Sequence, residues 1–173
     1  QVRRILQEFN QPALAQLFLP GREFNVGIVG GKRLHLMPLA EVHYHDMPPG
    51  IPPIMSYAAK WIETSLEYKK TSIVCPTEVK PELSRQLYDI ATRAFRAVRC
   101  WGYGRVDIRL DEEGNPRVLE VNCNASLEDD IGLARSAKRA GISYPKLLQM
   151  IIDIALEGPP HDVHIPMCHL DNA

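Results

Sequence analysis

The chain has 173 residues, of which 45% are hydrophobic and 24% charged, as in an ordinary globular domain with a sizeable core. Its 20 basic and 21 acidic residues give a net charge of -1, which argues against nucleic acid or an anionic membrane as a partner. The sequence has no apolar run of the roughly 18 residues that a transmembrane helix needs, no signal-peptide pattern and no CxxC pair. We therefore expect a protein of the reducing cytoplasm. Because Gln1 leads straight into a helical pattern, we also expect a piece of a longer protein.

The first third of the chain predicts one short helix followed by strands. The helix ends at Pro12, and its apolar positions have helical spacing: Val2, Ile5, Leu6 and Phe9. Three strands separated by short glycine-containing links should form an antiparallel meander: 13–19, 23–30 and 34–42. The proline-rich residues 44–56 predict a surface loop, and we expect residues 57–71 to continue it with one short strand at most.

The remainder of the chain predicts a helix, a hairpin and two more helices. Pro81 is suited to a first helical position, and a buried face continues from there to about residue 99. A helix over 130–140 should end at Gly141, and a last helix should end at Gly158. The strand-rich beginning and this second part are expected to form two lobes joined by the proline-rich loop.

The predicted hairpin within residues 102–124, GYGRVDIRLDEEGNPRVLEVNCN, places two carboxylates in an unfavourable position. If residues 105–110 pair with 117–122, Arg105 lies opposite Asn122 and Asp107 lies opposite Glu120. The other face is then mostly apolar, with Val106, Ile108, Leu110, Arg117, Leu119 and Val121. Like charges directly across a ladder destabilise a sheet, so this pair needs an explanation.

Three explanations stay open from the residues alone. The face could be solvated, with Arg105 and Arg109 neutralising the acids. The carboxylates could act as a general acid and base, as in glycosidases. Asp107, Glu120 and the carbonyl of Asn122 could instead bind magnesium or manganese, since all three supply the hard oxygen donors that these ions prefer. Such an ion would point to a nucleotide as the partner.

Several motifs in order resemble the ATP-grasp ligases, and most closely the D-alanine–D-alanine ligase-like group. They are the hairpin segments GYGRVDIRL and VLEVNCN, FLPGREFNVGIVGG at 18–31, YAAKW at 57–61, and GLARSAKRAGISYPKLL at 132–148. The resemblance implies an α+β fold in which antiparallel sheets pack against helices, with its N-terminal part upstream of Gln1. It also implies that residues 1–157 form a partial ATP-grasp domain, which a tail follows.

The resemblance also implies a role for each segment. The strand-rich lobe 1–43 would carry the adenine hinge, residues 44–72 an active-site loop, residues 73–157 the metal site, and residues 158–173 the tail. Carried over by position, Asp107, Glu120 and Asn122 would bind two magnesium or manganese ions.

The implied nucleotide contacts come from both lobes. Arg105 would contact the transferred phosphoryl group, and Lys60 would reach towards the phosphates. Glu23 would bind the ribose hydroxyls, and Leu119 would pack below the base. The main chain of Leu17, Phe18 and Leu19 would form the adenine hinge, where Gln16 replaces a usual glutamate. Surface or core positions are the plain alternatives for these residues.

The segment after Asn122 departs from the D-alanine ligases. Ser126 lies at a glycine position and Ile131 at the position of a serine that holds a substrate carboxylate in that group. Glu128, Asp129 and Asp130 make the segment acidic, which favours an amine or a cation over a carboxylate. The departure argues against D-alanyl-D-alanine as the product.

The resemblance implies an ATP-dependent carboxylate–amine ligase, with ATP and magnesium as cofactors and small molecules, amino acids above all, as substrates. Its product would be an amide or peptide formed through an acylphosphate, and a homodimer is an additional expectation. Carboxylation, glutamate addition or a non-catalytic nucleotide-binding role are the alternatives. We expect the chain alone to be inactive, since further phosphate-binding parts would lie upstream.

Other histidines and cysteines carry weaker signals. His43 and His45 in HYHD could share a zinc ion, but the sequence offers no third ligand at zinc spacing, and a loop or substrate-facing role is the preferred interpretation. Cys100 and Cys123 are expected to be buried small residues. The tail histidines and Cys168 have no predicted structure.

Overall fold

A computed structural model describes residues 2–159, which form six helices and six strands. The helices are α1 (Val2–Glu8), α2 (Tyr57–Trp61), α3 (Leu66–Lys69), α4 (Pro81–Ala97), α5 (Gly132–Arg139) and α6 (Tyr144–Glu157). The strands are β1 (Glu23–Gly30), β2 (Leu34–Leu36), β3 (Ala40–Tyr44), β4 (Thr71–Val74), β5 (Gly102–Leu110) and β6 (Pro116–Asn122). Within these residues, no helix combines the length and the apolar character needed to cross a bilayer. The predicted tail and Cys168 lie outside the described residues.

All six strands belong to one antiparallel sheet with the order β4-β3-β1-β5-β6, and β2 also pairs with β1. β1 is the centre of this sheet. It pairs with β5 along its whole length, from Glu23 opposite Arg109 to Gly30 opposite Gly102. The two predicted lobes therefore contribute strands to the same sheet, and the division of roles among the segments stays a prediction.

Two apolar layers cover the sheet. On one face, α4 packs over β1 and β5, with Phe24, Val26, Ile28, Leu87, Phe95, Val106 and Ile108 fully buried. On the other face, α5 and α6 cover one end of the strands through Val29, Met37, Leu133, Ala134, Ala137 and Leu147. Burial of such side chains is the main source of stability in a domain of this kind. The other end of the second face, which these helices leave uncovered, is polar.

The prediction of a strand over 13–19 is wrong. This segment is irregular, and its Leu14 and Leu17 are 82% and 87% exposed. One edge of β1 is occupied by β2 and β3, and the other by β5, so the segment has no strand edge to join at the centre of the sheet.

The expectation of a loop over 57–71 is also wrong, because the segment forms α2 and α3 before β4 begins at Thr71. Two serines that the sequence interpretation overlooked begin these helices. The Ser56 hydroxyl accepts a hydrogen bond from the main-chain N–H of Ala59, and the Ser65 hydroxyl accepts one from Tyr68. Each satisfies a backbone donor that a helix N-terminus leaves free.

The hairpin has the predicted register at its functional end. Arg105 lies opposite Asn122, and Asp107 lies opposite Glu120. A bulge follows, since Ile108 pairs with Val118, and Leu119 is the additional residue. The predicted underside is therefore wrong at two positions: Val118 and Pro116 take the places expected for Leu119 and Arg117.

Candidate functional site

A group of polar side chains lies on the uncovered part of the sheet, on the face that α5 and α6 cover further along. Side chains of directly opposed residues share a face, so the register defines the group. One row contains Asn25, Asp107 and Glu120, the next contains Gly27, Arg105 and Asn122, and a third contains Glu23 and Arg109. The hairpin of β5 and β6 and the distant strand β1 thus bring four of the predicted site residues, Arg105, Asp107, Glu120 and Asn122, together with Glu23.

Asp107 is held by three hydrogen bonds in this site. Arg105 donates from Nε to Oδ1 at 2.6 Å and from Nη2 to Oδ2 at 2.7 Å. The side-chain amide of Asn25 donates to Oδ1 at 2.8 Å. These hydrogen bonds to Asp107 raise the pKa of Arg105 against the effect of burial, and the charges of Glu120 and Glu23 raise it further. Arg105 therefore supplies the positive charge that the opposed carboxylates require.

Glu23 is buried, with 6% of its surface exposed, and is bound by two neighbours. The Tyr44 hydroxyl donates to its Oε2 at 2.8 Å, and Nη1 of Arg109 donates to the same oxygen at 3.0 Å. Burial raises the pKa of Glu23, although Tyr44 and the charges of Arg109 and Lys60 lower it. Burial and the charge of Glu23 raise the pKa of Tyr44, so its hydroxyl keeps the proton it donates.

Lys60 is exposed on α2, yet its charge acts on the Glu23 carboxyl. The segment from Leu17 to Leu19 reaches the same place through Phe18, whose ring centre lies 5.1 Å from the Arg109 guanidinium carbon. Such a stacking of a guanidinium on an aromatic ring is favourable by about 0.5–2 kcal/mol. Leu17 and Leu119 are 87% and 42% exposed, so neither is a plain core residue.

The predicted substrate residues lie beside α5. Ser126 and Glu128 are exposed, and the Ser126 hydroxyl accepts a hydrogen bond from the main-chain N–H of Glu128 at 3.2 Å. Ile131, which precedes the first residue of α5, is 46% exposed and lines a cavity of about 70 Å³. Asn25 and Arg105 line the same cavity, so it adjoins the polar group.

The donor set fits a divalent cation. Asp107 and Glu120 share one row, and the amide oxygen of Asn122 lies in the next row on the same face. Two carboxylates and an amide carbonyl match the ligand preferences of magnesium. No cluster of three or more His, Cys, Asp or Glu side chains occurs between residues 2 and 159, so this mixed set is the candidate, and the HYHD zinc hypothesis gains no support.

The HYHD histidines lie near other polar side chains, although Nε2 of His43 makes no hydrogen bond. Nε2 of His43 lies 3.3 Å from the Glu41 carboxylate, and the His45 ring shares a hydrogen bond of 2.7 Å with Ser72. Glu41 is also bound by Arg22 at 2.6 Å. Burial would raise the pKa of Glu41, but hydrogen bonds from Arg22 and from a threonine outweigh it and lower the pKa to about 2.

The prediction of buried small cysteines is wrong for Cys123, which is exposed, while Cys100 is half-buried. Cys123 follows β6, just beyond the row of Asn122, where the strand leaves the sheet. Burial, together with the neighbouring Cys123, raises the pKa of Cys100 to about 12.

Sequence analysis missed two residues of the site, Asn25 and Tyr44, and it named Arg109 only as a charge that could neutralise the acids. Asn25 could have been found from strand alternation, since it is two residues from Glu23. Tyr44 required the pairing of β1 with β3, where Glu23 lies opposite Val42. The sequence did not show how the chain between β1 and β3 returns to place β3 beside Glu23.

Comparison with known proteins gives consistent matches. A family model described as the D-ala D-ala ligase C-terminus matches residues 4–153. An uncharacterized protein of Sinorhizobium fredii is 33% identical over 156 residues, which is 89% of this chain and 44% of that protein. A D-alanine–D-alanine ligase of Bordetella petrii is 30% identical over 149 residues, 86% of this chain and 42% of that protein.

Solved structures agree with these matches. The D-alanine–D-alanine ligase from Bacillus anthracis, in a crystal structure complexed with ATP, is similar with a TM-score of 0.61 and 26% identity. The similarity covers 81% of this chain and 40% of that one. The chain thus spans less than half the length of the curated relatives that it matches.

Proposed function

Because the chain belongs to the D-Ala–D-Ala ligase C-terminal family, we propose that the protein containing it is an ATP-dependent carboxylate–amine ligase. The observation that carries this proposal is the row of Asn25, Asp107 and Glu120 with Arg105 bound to Asp107. It combines donors for a divalent cation with a fixed positive charge, the two features that phosphoryl transfer from a nucleotide requires.

The proposed reaction has two steps. A substrate carboxylate takes the γ-phosphoryl group of ATP, which forms an acylphosphate and ADP. An amine then attacks the acyl carbon, loses a proton and displaces inorganic phosphate, which forms an amide. The protein accelerates both steps by holding the reactants in position and by stabilising charge that develops on the phosphoryl oxygens.

In this proposal Asp107, Glu120 and Asn122 hold magnesium, which supplies charge neutralisation on the ATP phosphates. Arg105, fixed beside Asp107, contacts the transferred phosphoryl group. Lys60, whose charge reaches Glu23, acts on the phosphates as a second cation.

The remaining contacts with ATP lie at the other end of the polar face. Glu23 binds the ribose hydroxyls, which suits a carboxylate already held by Tyr44 and Arg109. The main chain of Leu17, Phe18 and Leu19 faces the adenine, and Leu119, at the bulge, packs against the base. The exposure of Leu17 and Leu119 leaves both available for such contacts.

Ser126, Glu128 and Ile131 are the proposed substrate contacts, and the exposed acidic segment favours an amine. Amino acids are the proposed substrates. A cytoplasmic location and a homodimer also stay predictions.

The test is amino-acid-dependent ADP formation by the full-length protein. Glu120→Gln removes the negative charge of one proposed metal ligand at an exposed position, so the fold should tolerate it. We expect the rate to fall at least about 100-fold, the loss typical of removing one such electrostatic contact. The matched control is Glu112→Gln, an exposed carboxylate in the turn of the same hairpin, which should keep the full rate. Equal rates for the two variants would contradict the proposed site.

A further inference from the structure

A small cavity lies where the polar face of the sheet meets α5. Its volume is about 70 Å³. Asn25, Gly27 and Arg105 form its side towards the polar group. The other lining residues are Ala40, Ile73, Cys75, Ile131, Gly132, Leu133, Arg135 and Ser136. Ile73 and Ile131 are 38% and 46% exposed, whereas Ala40 and Leu133 are buried, so the two isoleucines stand at the opening.

Several of the polar groups around this cavity are already engaged. The Arg105 guanidinium and the Asn25 amide both donate to Asp107. Nε of Arg135, another lining residue, donates to the main-chain oxygen of Asp130 at 2.8 Å. At the inner end, the buried Ser136 hydroxyl lies 3.4 Å from the Cys75 thiol. The surface left for a ligand is therefore mainly aliphatic.

The walls are fixed by close packing. A Cβ at Gly27 would lie 2.6 Å from a methyl carbon of Leu133, so a larger residue at position 27 would displace the end of this side chain. Leu133 and Ser136 belong to α5, and Ala40 belongs to β3, which pairs with β1. A cavity formed by packed elements of the fold keeps its shape and can select a ligand by size.

We propose that one substrate of the ligase carries a branched or linear aliphatic side chain of about three or four carbon atoms, which this cavity receives beside Arg105. This inference rests on the proposed function. The size follows from the volume of about 70 Å³, because one water-sized group needs about 15 Å³ of such space and about four to five groups fit. Ile73 and Ile131 set the width of the side chain that can enter.

A charged side chain does not fit this chemistry. It would lose its water on entering, and the mainly aliphatic lining would not replace that water. Burying an unpaired charge in such a place costs several kcal/mol. A methyl group alone would leave most of the cavity unfilled.

The experiment uses the full-length protein, ATP and magnesium. Paired amino acids, in both D and L forms, carry side chains of increasing length: hydrogen, methyl, ethyl, isopropyl, isobutyl and benzyl, with aspartate and lysine as charged members. We expect kcat/KM for ADP formation to rise about tenfold with each added carbon up to isopropyl or isobutyl, and then to fall. Ile131→Ala should shift the optimum to a bulkier side chain. Ile152→Ala, an equally exposed isoleucine on α6, should leave it in place.

A second measurement separates the cavity from the reaction. Isoleucine methyl groups are labelled for NMR and followed while the same amino acids are added with ATP. Chemical-shift changes at Ile73 and Ile131 but not at Ile152, largest for side chains of three or four carbons, support the cavity assignment. If these changes occur but no ADP forms, only the proposed function is overturned. Turnover that is best with hydrogen, methyl or a charged side chain, or aliphatic binding that leaves Ile73 and Ile131 unmoved, overturns the cavity assignment.

Discussion

The buried ion pair between Arg109 and Glu23 gives the strongest prediction about stability. Both residues are nearly enclosed, with 3% and 6% of their surfaces exposed. Arg109 also donates to the main-chain oxygen of Gly21 at 3.1 Å and lies against the rings of Phe18 and Tyr44. Arg109→Met keeps an unbranched apolar stem but removes the guanidinium, and it leaves the Glu23 carboxylate buried with one hydroxyl as its partner.

Removing one partner of a buried pair typically costs about 3–5 kcal/mol, because the remaining charge is left without compensation. With a denaturant slope of about 2 kcal/mol/M, the urea midpoint of unfolding should fall by about 2 M. Tryptophan fluorescence in urea measures this directly. The double substitution Glu23→Gln with Arg109→Met should recover at least half of the loss, since it removes the orphaned charge.

The pH dependence of the stability of Arg109→Met provides a second test of the buried ion pair. In Arg109→Met the folded protein should bind a proton at Glu23 more tightly than the unfolded chain does, so unfolding becomes harder as the pH falls from 7 towards 4.5. The control is Arg93→Met, whose pair with Asp89 is 77% and 66% exposed and should contribute less than about 1 kcal/mol. A loss at Arg109 no larger than the loss at Arg93 would refute the reasoning.

Two further predictions concern titratable groups outside the site. The pKa of Glu41 is lowered to about 2 from 4.5, so its contribution is complete above pH 4.5 and is lost as the pH falls towards 2. Glu41→Gln should remove about 2 kcal/mol of this acid dependence, less than the full pKa difference gives because Arg22 is 45% exposed. The pKa of Cys100 is raised to about 12, so iodoacetamide at pH 8 should modify it more than about 100-fold more slowly than exposed Cys123, as followed by peptide mass spectrometry.

Each of these has a clear contrary result. Acid unfolding curves of the wild type and Glu41→Gln that coincide between pH 2 and 4.5 would show that the carboxylate has no favourable pairing in the folded state. Similar modification rates at Cys100 and Cys123 would show that burial does not suppress the Cys100 thiolate.

The hairpin shows what sequence periodicity could and could not predict. Alternation placed Asp107 opposite Glu120 correctly, and the resemblance to the ATP-grasp ligases and the α+β fold class are confirmed. The bulge after Asp107 was not predicted. One additional residue such as Leu119 hardly changes the local alternation of apolar and polar residues, yet it turns every later side chain to the opposite face.

The segment 13–19 failed for a different reason. Its composition suits a strand, but a strand also needs an unoccupied neighbour in the sheet, and both edges of β1 are taken. Such competition between distant segments is decided by tertiary pairing and leaves no trace in a window of seven residues. The capping serines Ser56 and Ser65, in contrast, were visible in the sequence and were overlooked.

Strand β1 sets the distances between the parts of the proposed site. Glu23, Asn25 and Gly27 follow one another at every second residue, so their positions are about 7 Å apart along the strand. The first is bound to Arg109, the second to Asp107, and the third borders the cavity. The spacing of these residues on a single strand would thus set the distances between the bound sugar, the phosphates and the substrate side chain. Deletion of one residue before Glu23, if it shifted the register of β1 by one residue, would move Glu23, Asn25 and Gly27 to the face that α4 covers. A change in the length of this strand would therefore disrupt all three parts of the proposed site at once.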